Sequence, residues 1–166
     1  MYLARMPSPV GVLVLASDGA CLTGLWMEHQ RHFPDLSGGK EAPDLPVFRQ
    51  ARAWLDAYFQ KAPLPPMPPL GPEGTTFQRR VWDALKAIPY GSTTTYGALA
   101  QTLDSSPRSV GGAVGRNPIS ILIPCHRVLG TDGSLTGYAG GLDAKRFLLT
   151  LEGAAVGSET SPKKGT

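Results

Sequence analysis

The sequence is poor in cysteine, in charge and in long apolar runs. It has two cysteines in 166 residues. Two thiols cannot build a disulfide framework, which points to a reducing compartment. Charged side chains make up 17%, below the roughly 25% common in soluble domains. Basic residues number 16 and acidic residues 13, a balance that excludes both a histone-like polybasic protein and an acidic tail. No apolar run approaches the roughly 18 residues of a membrane span. The run Val10–Ala16 follows Pro7 and Pro9 and is closed by Asp18. It reads as a buried strand rather than a secretory leader. A cytoplasmic protein is expected.

What remains is ample for a core. Apolar residues make up 42%, with 3 Trp, 5 Tyr and 5 Phe, enough to exclude wholesale disorder at this length. Residues 10–17 and 20–27 are apolar runs around Ser17-Asp18-Gly19, a hairpin pattern. Residues 28–44 read as a loop. Phe48, Ala51, Leu55 and Phe59 recur at helical spacing over 45–60. Lys61–Pro72 then carries six prolines in twelve residues, which neither a helix interior nor a central strand tolerates. The spacing predicts an N-terminal sheet-containing domain with its connector over 1–72, a second domain over 73–153, and a disordered tail over 154–166.

The second domain reads as mostly helical. Thr75 or Thr76 caps a helix bearing Phe77, Val81, Leu85 and Ile88 on one face, and Pro89 stops it. Thr95 caps a second helix through Leu103. Ser106 and Pro107 open a third, 107–115, which carries Gly111, Gly112 and Ala113. The short Asp104-Ser105 turn makes this pair a helix-turn-helix or an ordinary structural pair. A last helix begins near Asp143, turns Phe147, Leu148 and Leu151 inward, and ends at Gly153. The fold class is therefore α+β. Residues 79–127 hold Arg79, Arg80, Lys86, Arg108, Arg116 and Arg127 against Asp83 and Asp104, a basic zone compatible with nucleic acid.

Two positions bear chemistry. Cys21, in an apolar strand, reads as a small buried hydrophobe. Cys125 lies between Pro124 and the pair His126-Arg127, whose positive field lowers a thiol pKa. Neighbours in an extended chain point oppositely, so His126 serves Cys125 only if the backbone turns there or a water bridges them. Glu152 falls in a last helical turn, where the macrodipole disfavours a carboxylate. Exposure is the usual outcome there, a cationic partner the other. Cys21, His29 and His32 make a poor zinc set.

The run Asn117-Pro-Ile-Ser-Ile-Leu-Ile-Pro-Cys-His-Arg-Val128 resembles the active-site signature of the alkylguanine-DNA alkyltransferases (methylated-DNA–protein-cysteine methyltransferases). Phe77-Gln, Val81-Trp82, Ile88-Pro-Tyr-Gly91, Thr95-Tyr96-Gly97, Arg108-Ser-Val-Gly-Gly112, Gly137-Tyr-Ala-Gly-Gly141 and Leu151-Glu152-Gly153 match in register over residues 75–153. The first 72 residues are similar to the family only loosely, through Ser8-Pro-Val-Gly11. The resemblance implies a DNA-repair protein that flips an alkylated nucleotide out of duplex DNA, reached through the minor groove. It would take the alkyl group of O6-alkylguanine, with O4-alkylthymine as the second candidate substrate, irreversibly onto itself, as a monomer.

By the same resemblance Cys125 is the alkyl acceptor, His126 its water-mediated base, and Glu152 the partner of the imidazole. Asn117 braces the turn before an active-site strand, and Tyr96 hydrogen bonds the departing base. Arg108 is the finger that enters the duplex. Ser106, Gly111, Gly112, Ala113, Arg116 and Arg127 belong to the DNA-facing set. Cys125 and Val128 offer carbonyls to the guanine amine, Tyr138 walls the pocket, and the Ala139 N–H reaches O6. Some family members carry Ser where this chain has Ala139, so only a backbone contact is implied there. No metal or nucleotide cofactor is called for. A Cys–His hydrolase and an operator-binding factor share some of these parts, but the first would turn over repeatedly and the second usually needs a dimerisation segment.

Overall fold

The computed structural model describes residues 1–155. Most of the tail expected over 154–166 lies outside the described residues, but Ala154 is buried with Leu129, Leu135 and Leu149. Two compact units make it up: residues 1–73 with 118–120, and 74–117 with the residues from 121 onward.

The first unit is a sheet with one helix. Its strands are β1 (Tyr2–Met6), β2 (Leu13–Ser17), β3 (Leu22–Met27) and the two-residue β4 (Lys40–Glu41), in the order β3-β2-β1-β4. β1, β2 and β3 pair antiparallel, and β4 lies parallel to β1. β2 is buried along its whole length, as its unbroken apolar run requires. Helix α1 (Pro46–Phe59) packs Phe48, Ala51, Leu55 and Tyr58 into the core with Leu13, Leu15, Leu25 and Met27. The connector ends along β3: Leu22 N–H donates to the Pro69 carbonyl, and Gly71 N–H donates to that of Leu22. Prolines lack a donor but still accept. Cys21 lies ahead of β3 and is only half-buried, a correction to the buried position expected of it.

The second unit is helical. Thr75 and Gln78 form a reciprocal capping box at the start of α2 (Thr76–Lys86), satisfying two orphan N–H groups. Thr95 caps α3 (Tyr96–Thr102), and Ser106 caps α4 (Pro107–Gly115), with Pro107 in its first turn. Between them Asp104 takes φ 52°, the left-handed geometry that Asp tolerates. The Trp82 indole N–H donates to the Ala113 carbonyl at 2.9 Å, and Ala113 is itself buried. β5 (Thr94–Thr95) and β6 (Val128–Leu129) pair in parallel.

Helix α5 (Leu142–Leu151) turns Ala144, Lys145, Leu148 and Leu149 inward, while Phe147 is exposed. That corrects the inward place expected for Phe147, and a lysine holds one of the buried positions instead. The run 119–123 is not a strand. Ile119 makes a single bridge to Leu25 within the first unit, and Ile121 turns the chain at φ 71°. Ile119, Ile121, Leu122 and Ile123 are all buried.

Candidate active site

Cys125 opens a single 3₁₀ turn, Cys125–Arg127. Its N–H donates to the Ile123 carbonyl at 2.8 Å, and Arg127 N–H donates to that of Pro124 at 3.0 Å. The backbone therefore does turn here, removing the geometric objection to a Cys125–His126 partnership. Asn117 braces the approach: its side-chain N–H₂ donates to the Ile123 carbonyl at 2.8 Å. Cys125 is buried. Burial pushes its thiol above the ordinary range, while a hydrogen bond from Asn117 and the charge of Lys145 pull the other way. The lowered thiol pKa expected from its two neighbours is thus corrected, because burial outweighs the positive field.

The His126 side chain is fully buried, with Nε2 at 2.7 Å from Glu152 Oε2. An ionised carboxylate only accepts, so Nε2 carries a proton, and in the neutral imidazole Nδ1 then keeps its lone pair. That Nδ1 is buried with no hydrogen-bond partner. Burial is the main cause that lowers the pKa of His126. Glu152 opposes it, and the charges of Arg127 and Lys145 reinforce it. The net direction is toward the uncharged imidazole.

Glu152 caps the C-terminus of α5 and its side chain is fully buried, so the usual exposure of such a position does not hold. Arg127 forks it, Nε to Oε1 at 2.8 Å and Nη2 to Oε2 at 2.9 Å, and gives Nη1 to the Ile88 carbonyl at 2.7 Å. Gly91 N–H also donates to Oε1 at 3.3 Å. Gly91 holds φ 81°, and a Cβ there would lie 3.1 Å from the Glu152 carbonyl oxygen, so both backbone and space favour glycine. Arg127 is therefore a buried partner of Glu152 rather than the exposed cation expected of the DNA-facing set. Ala113 is buried as well, where the DNA-facing set called for exposure.

Lys145 escaped the sequence reading. It is fully buried and donates to the carbonyls of Val128 at 2.6 Å, Thr136 at 2.5 Å and Gly137 at 3.3 Å. Burial lowers its pKa to about 8. Leu148 and Leu149 place residues 144 and 145 on the same face one turn earlier, a signal that could have found it. Tyr96 is half-buried, and burial lifts its hydroxyl to about 12, which keeps it a donor. Tyr138 and Ala139 are half-buried. On α4 and its caps, Ser106, Arg108, Gly112 and Arg116 are exposed and Gly111 is partly so. Gly115 joins Gly112 in open space, a small residue that the sequence reading passed over.

Among the described residues no group of three or more His, Cys, Asp or Glu is placed to hold a metal ion. No helix of the described residues is long and apolar enough to cross a membrane. Fold and site define a class: an α+β protein in which one helical unit carries both a tightly joined helix pair and a buried thiol followed by a carboxylate-paired imidazole.

Residues 1–67 match the ribonuclease-like domain of 6-O-methylguanine DNA methyltransferase, and residues 76–154 match the DNA binding domain of that family. The methylated-DNA–protein-cysteine methyltransferase of Haemophilus influenzae is 48% identical over 92% of this chain and 86% of its own length. Its Methanosarcina acetivorans counterpart is 44% identical over 93% and 99%. The crystal structure of Mycobacterium tuberculosis OGT in complex with DNA aligns with a TM-score of 0.85 at 42% identity, covering 92% of this chain and 93% of that one. The chain belongs to the methylated-DNA–protein-cysteine methyltransferase family. It is a DNA-binding repair methyltransferase that transfers an alkyl group to a cysteine of its own and is spent in doing so.

Proposed function

We propose that Cys125 is the acceptor, and that it takes the alkyl group from O6 of a guanine extruded from duplex DNA. One observation carries this reading: the 2.7 Å His126–Glu152 contact leaves a bare imidazole nitrogen on the residue next to a buried thiol. His126 Nδ1 accepts the thiol proton, directly or through one water. The thiolate attacks the alkyl carbon, the S–C bond forms as the C–O6 bond breaks, and the electron pair leaves with the guanine. Tyr96 donates a hydrogen bond to that departing base, which leaves neutral with the proton the thiol gave up. A thioether has no facile leaving step, so each chain reacts once.

An O6 substituent is inaccessible within stacked DNA, which is why the nucleotide must leave the duplex. Arg108, exposed in the first turn of α4, fills the gap and offsets part of the unstacking cost. Gly111, Gly112 and Gly115 let the helix backbone approach the minor groove closely, with Ser106 and Arg116 at the two ends of α4 on the phosphates. The Val128 carbonyl gives one lone pair to Lys145 and keeps the second for the guanine amine, beside the Cys125 carbonyl. Tyr138 walls the pocket and the Ala139 N–H reaches O6. A monomer suffices for all of these contacts, and an O4-alkylthymine fits the same chemistry.

Intact mass after mixing with an O6-methylguanine duplex tests the reading. One methyl per chain is expected, on the Cys125 peptide, with normal transfer in Cys21→Ala and none in Cys125→Ala. A methyl elsewhere, or repeated turnover, would refute it.

A further inference from the structure

The contacts of Glu152 do not describe a simple imidazole–carboxylate pair. Each carboxylate oxygen is taken by Arg127, and His126 shares Oε2 with the Arg127 Nη2. The guanidinium is anchored on its far side by the Ile88 carbonyl, and the Tyr90 ring lies over it at 5.8 Å. Arg127 is thus held from three directions, in a fork geometry that Arg supplies and Lys does not.

We infer that Arg127 is a positioning residue for the transfer: by occupying both oxygens of Glu152 it keeps the imidazole of His126 neutral and able to accept a proton. A buried imidazole facing an otherwise unshared carboxylate gains its proton readily, since an adjacent opposite charge favours the charged form. An imidazolium cannot act as the base, and its Nδ1 would no longer hold a lone pair. Arg127 removes that outcome twice. It balances the carboxylate charge before the imidazole can, and its own charge opposes a second cation at close range. Lys145 from α5 adds a further positive charge that acts on His126 in the same direction. The other groups around the cluster are Cys125 on the same turn and Tyr90, whose hydroxyl is kept protonated by burial first and Glu152 second. The inference rests on the alkyl-transfer reading of Cys125 and assigns Arg127 the task of setting the basicity of His126.

The sign is fixed by the chemistry. If the neutral imidazole is the working form, transfer is present above the His126 pKa and lost as pH falls through it. Removing the Arg127 charge raises that pKa, so the acid limb of the rate profile moves to higher pH. The test uses ¹⁵N-labelled histidine in the full chain, with His126 resonances identified by their loss in His126→Gln. In the wild-type protein His126 should hold the Nε2–H neutral tautomer at neutral pH and at mildly acidic pH. In Arg127→Gln its midpoint should rise by about one pH unit or more, the acid limb of methyl transfer should rise with it, and the rate should approach wild type at alkaline pH. Arg127→Lys, which keeps the charge but not the fork, should fall between the two.

Three results would overturn the inference: a wild-type imidazolium at neutral pH, an unshifted midpoint in Arg127→Gln, or a rate lowered by one factor at every pH. The wild-type spectrum decides even if Arg127→Gln fails to fold. The spectra also read His126 without any substrate. A protein that transfers no methyl would refute the acceptor reading and leave the Arg127 arm to be judged separately.

Discussion

The ammonium of Lys145 lies 2.6 Å from the carbonyl oxygen of Val128, and the same Nζ reaches the carbonyls of Thr136 and Gly137. One buried cation therefore ties the strand that follows Cys125 to the glycine-rich loop that leads into Tyr138. Its pKa, about 8 against an ordinary 10.5, is lowered by burial first, with Cys125 opposing. A base whose folded pKa lies below its unfolded pKa costs stability while charged. That cost is complete below about 8 and is lifted as pH rises from about 8 to 10.5. Wild type should gain stability relative to Lys145→Met across that window, read from urea midpoints. A difference that stays level would mean the lysine titrates normally.

Glu152→Gln should have two separable effects. Transfer should slow by roughly 10²–10⁴-fold, the range for losing assistance to an acid–base group. Stability should fall by about 3–5 kcal/mol, because Arg127 is left buried without its counter-charge. Urea denaturation reads the second, and single-turnover transfer at a temperature where the variant stays folded reads the first. Unchanged transfer in a folded variant would remove Glu152 from the mechanism.

Arg108→Ala separates anchoring from base extrusion. If Arg108 fills the space left by the flipped nucleotide, repair within a duplex should slow at saturating DNA. Transfer from the free alkylguanine base, which needs no flipping, should be unaffected. If Arg108 only contacts a phosphate, affinity alone should weaken and the salt slope should fall by about one unit. A wild-type rate at saturation would reject the finger role.

Gly112→Ala asks whether α4 is small for DNA or for packing. A Cβ at Gly112 meets nothing within 4 Å, and a mid-helix Gly-to-Ala change stabilises by about 1 kcal/mol. The variant should melt higher and bind duplex DNA more weakly. Equal or tighter DNA binding would show that the backbone of α4 does not approach the groove there.

Local signals carried the helical unit well. Thr75, Thr95 and Ser106 each cap the helix expected of them, because a cap is a contact over three residues and leaves its mark in the sequence. β1 left no such mark: Tyr-Leu-Ala-Arg-Met is short, and its Arg5 is satisfied by Glu41, 36 residues away. The site failed to read for the same reason. Arg127 looks like a surface cation until Glu152 is brought to it across 25 residues, and the burial of Glu152 in turn depends on Arg127 and His126. Lys145 misled by its type, since lysine is rarely buried without partners. Its partners are backbone carbonyls, which every residue has and no sequence advertises. The apolar run 119–123 reads as a strand by composition, and only the left-handed Ile121 shows that it turns.

Residues 118–120 belong with the first unit although they fall between α4 and Cys125 in the chain. Leu25 N–H donates to the Pro118 carbonyl at 2.8 Å, and Ser120 N–H donates to that of Leu25 at 3.0 Å. The protein is therefore not a pair of interchangeable cassettes. A cut at the proline-rich connector would carry away the three residues that finish the edge of β3, and would leave Leu25 with a donor and an acceptor unmet. A graft of the helical half onto another scaffold could not leave them behind either. They stand directly after the Asn117 brace, and Cys125 follows Ser120 by five residues.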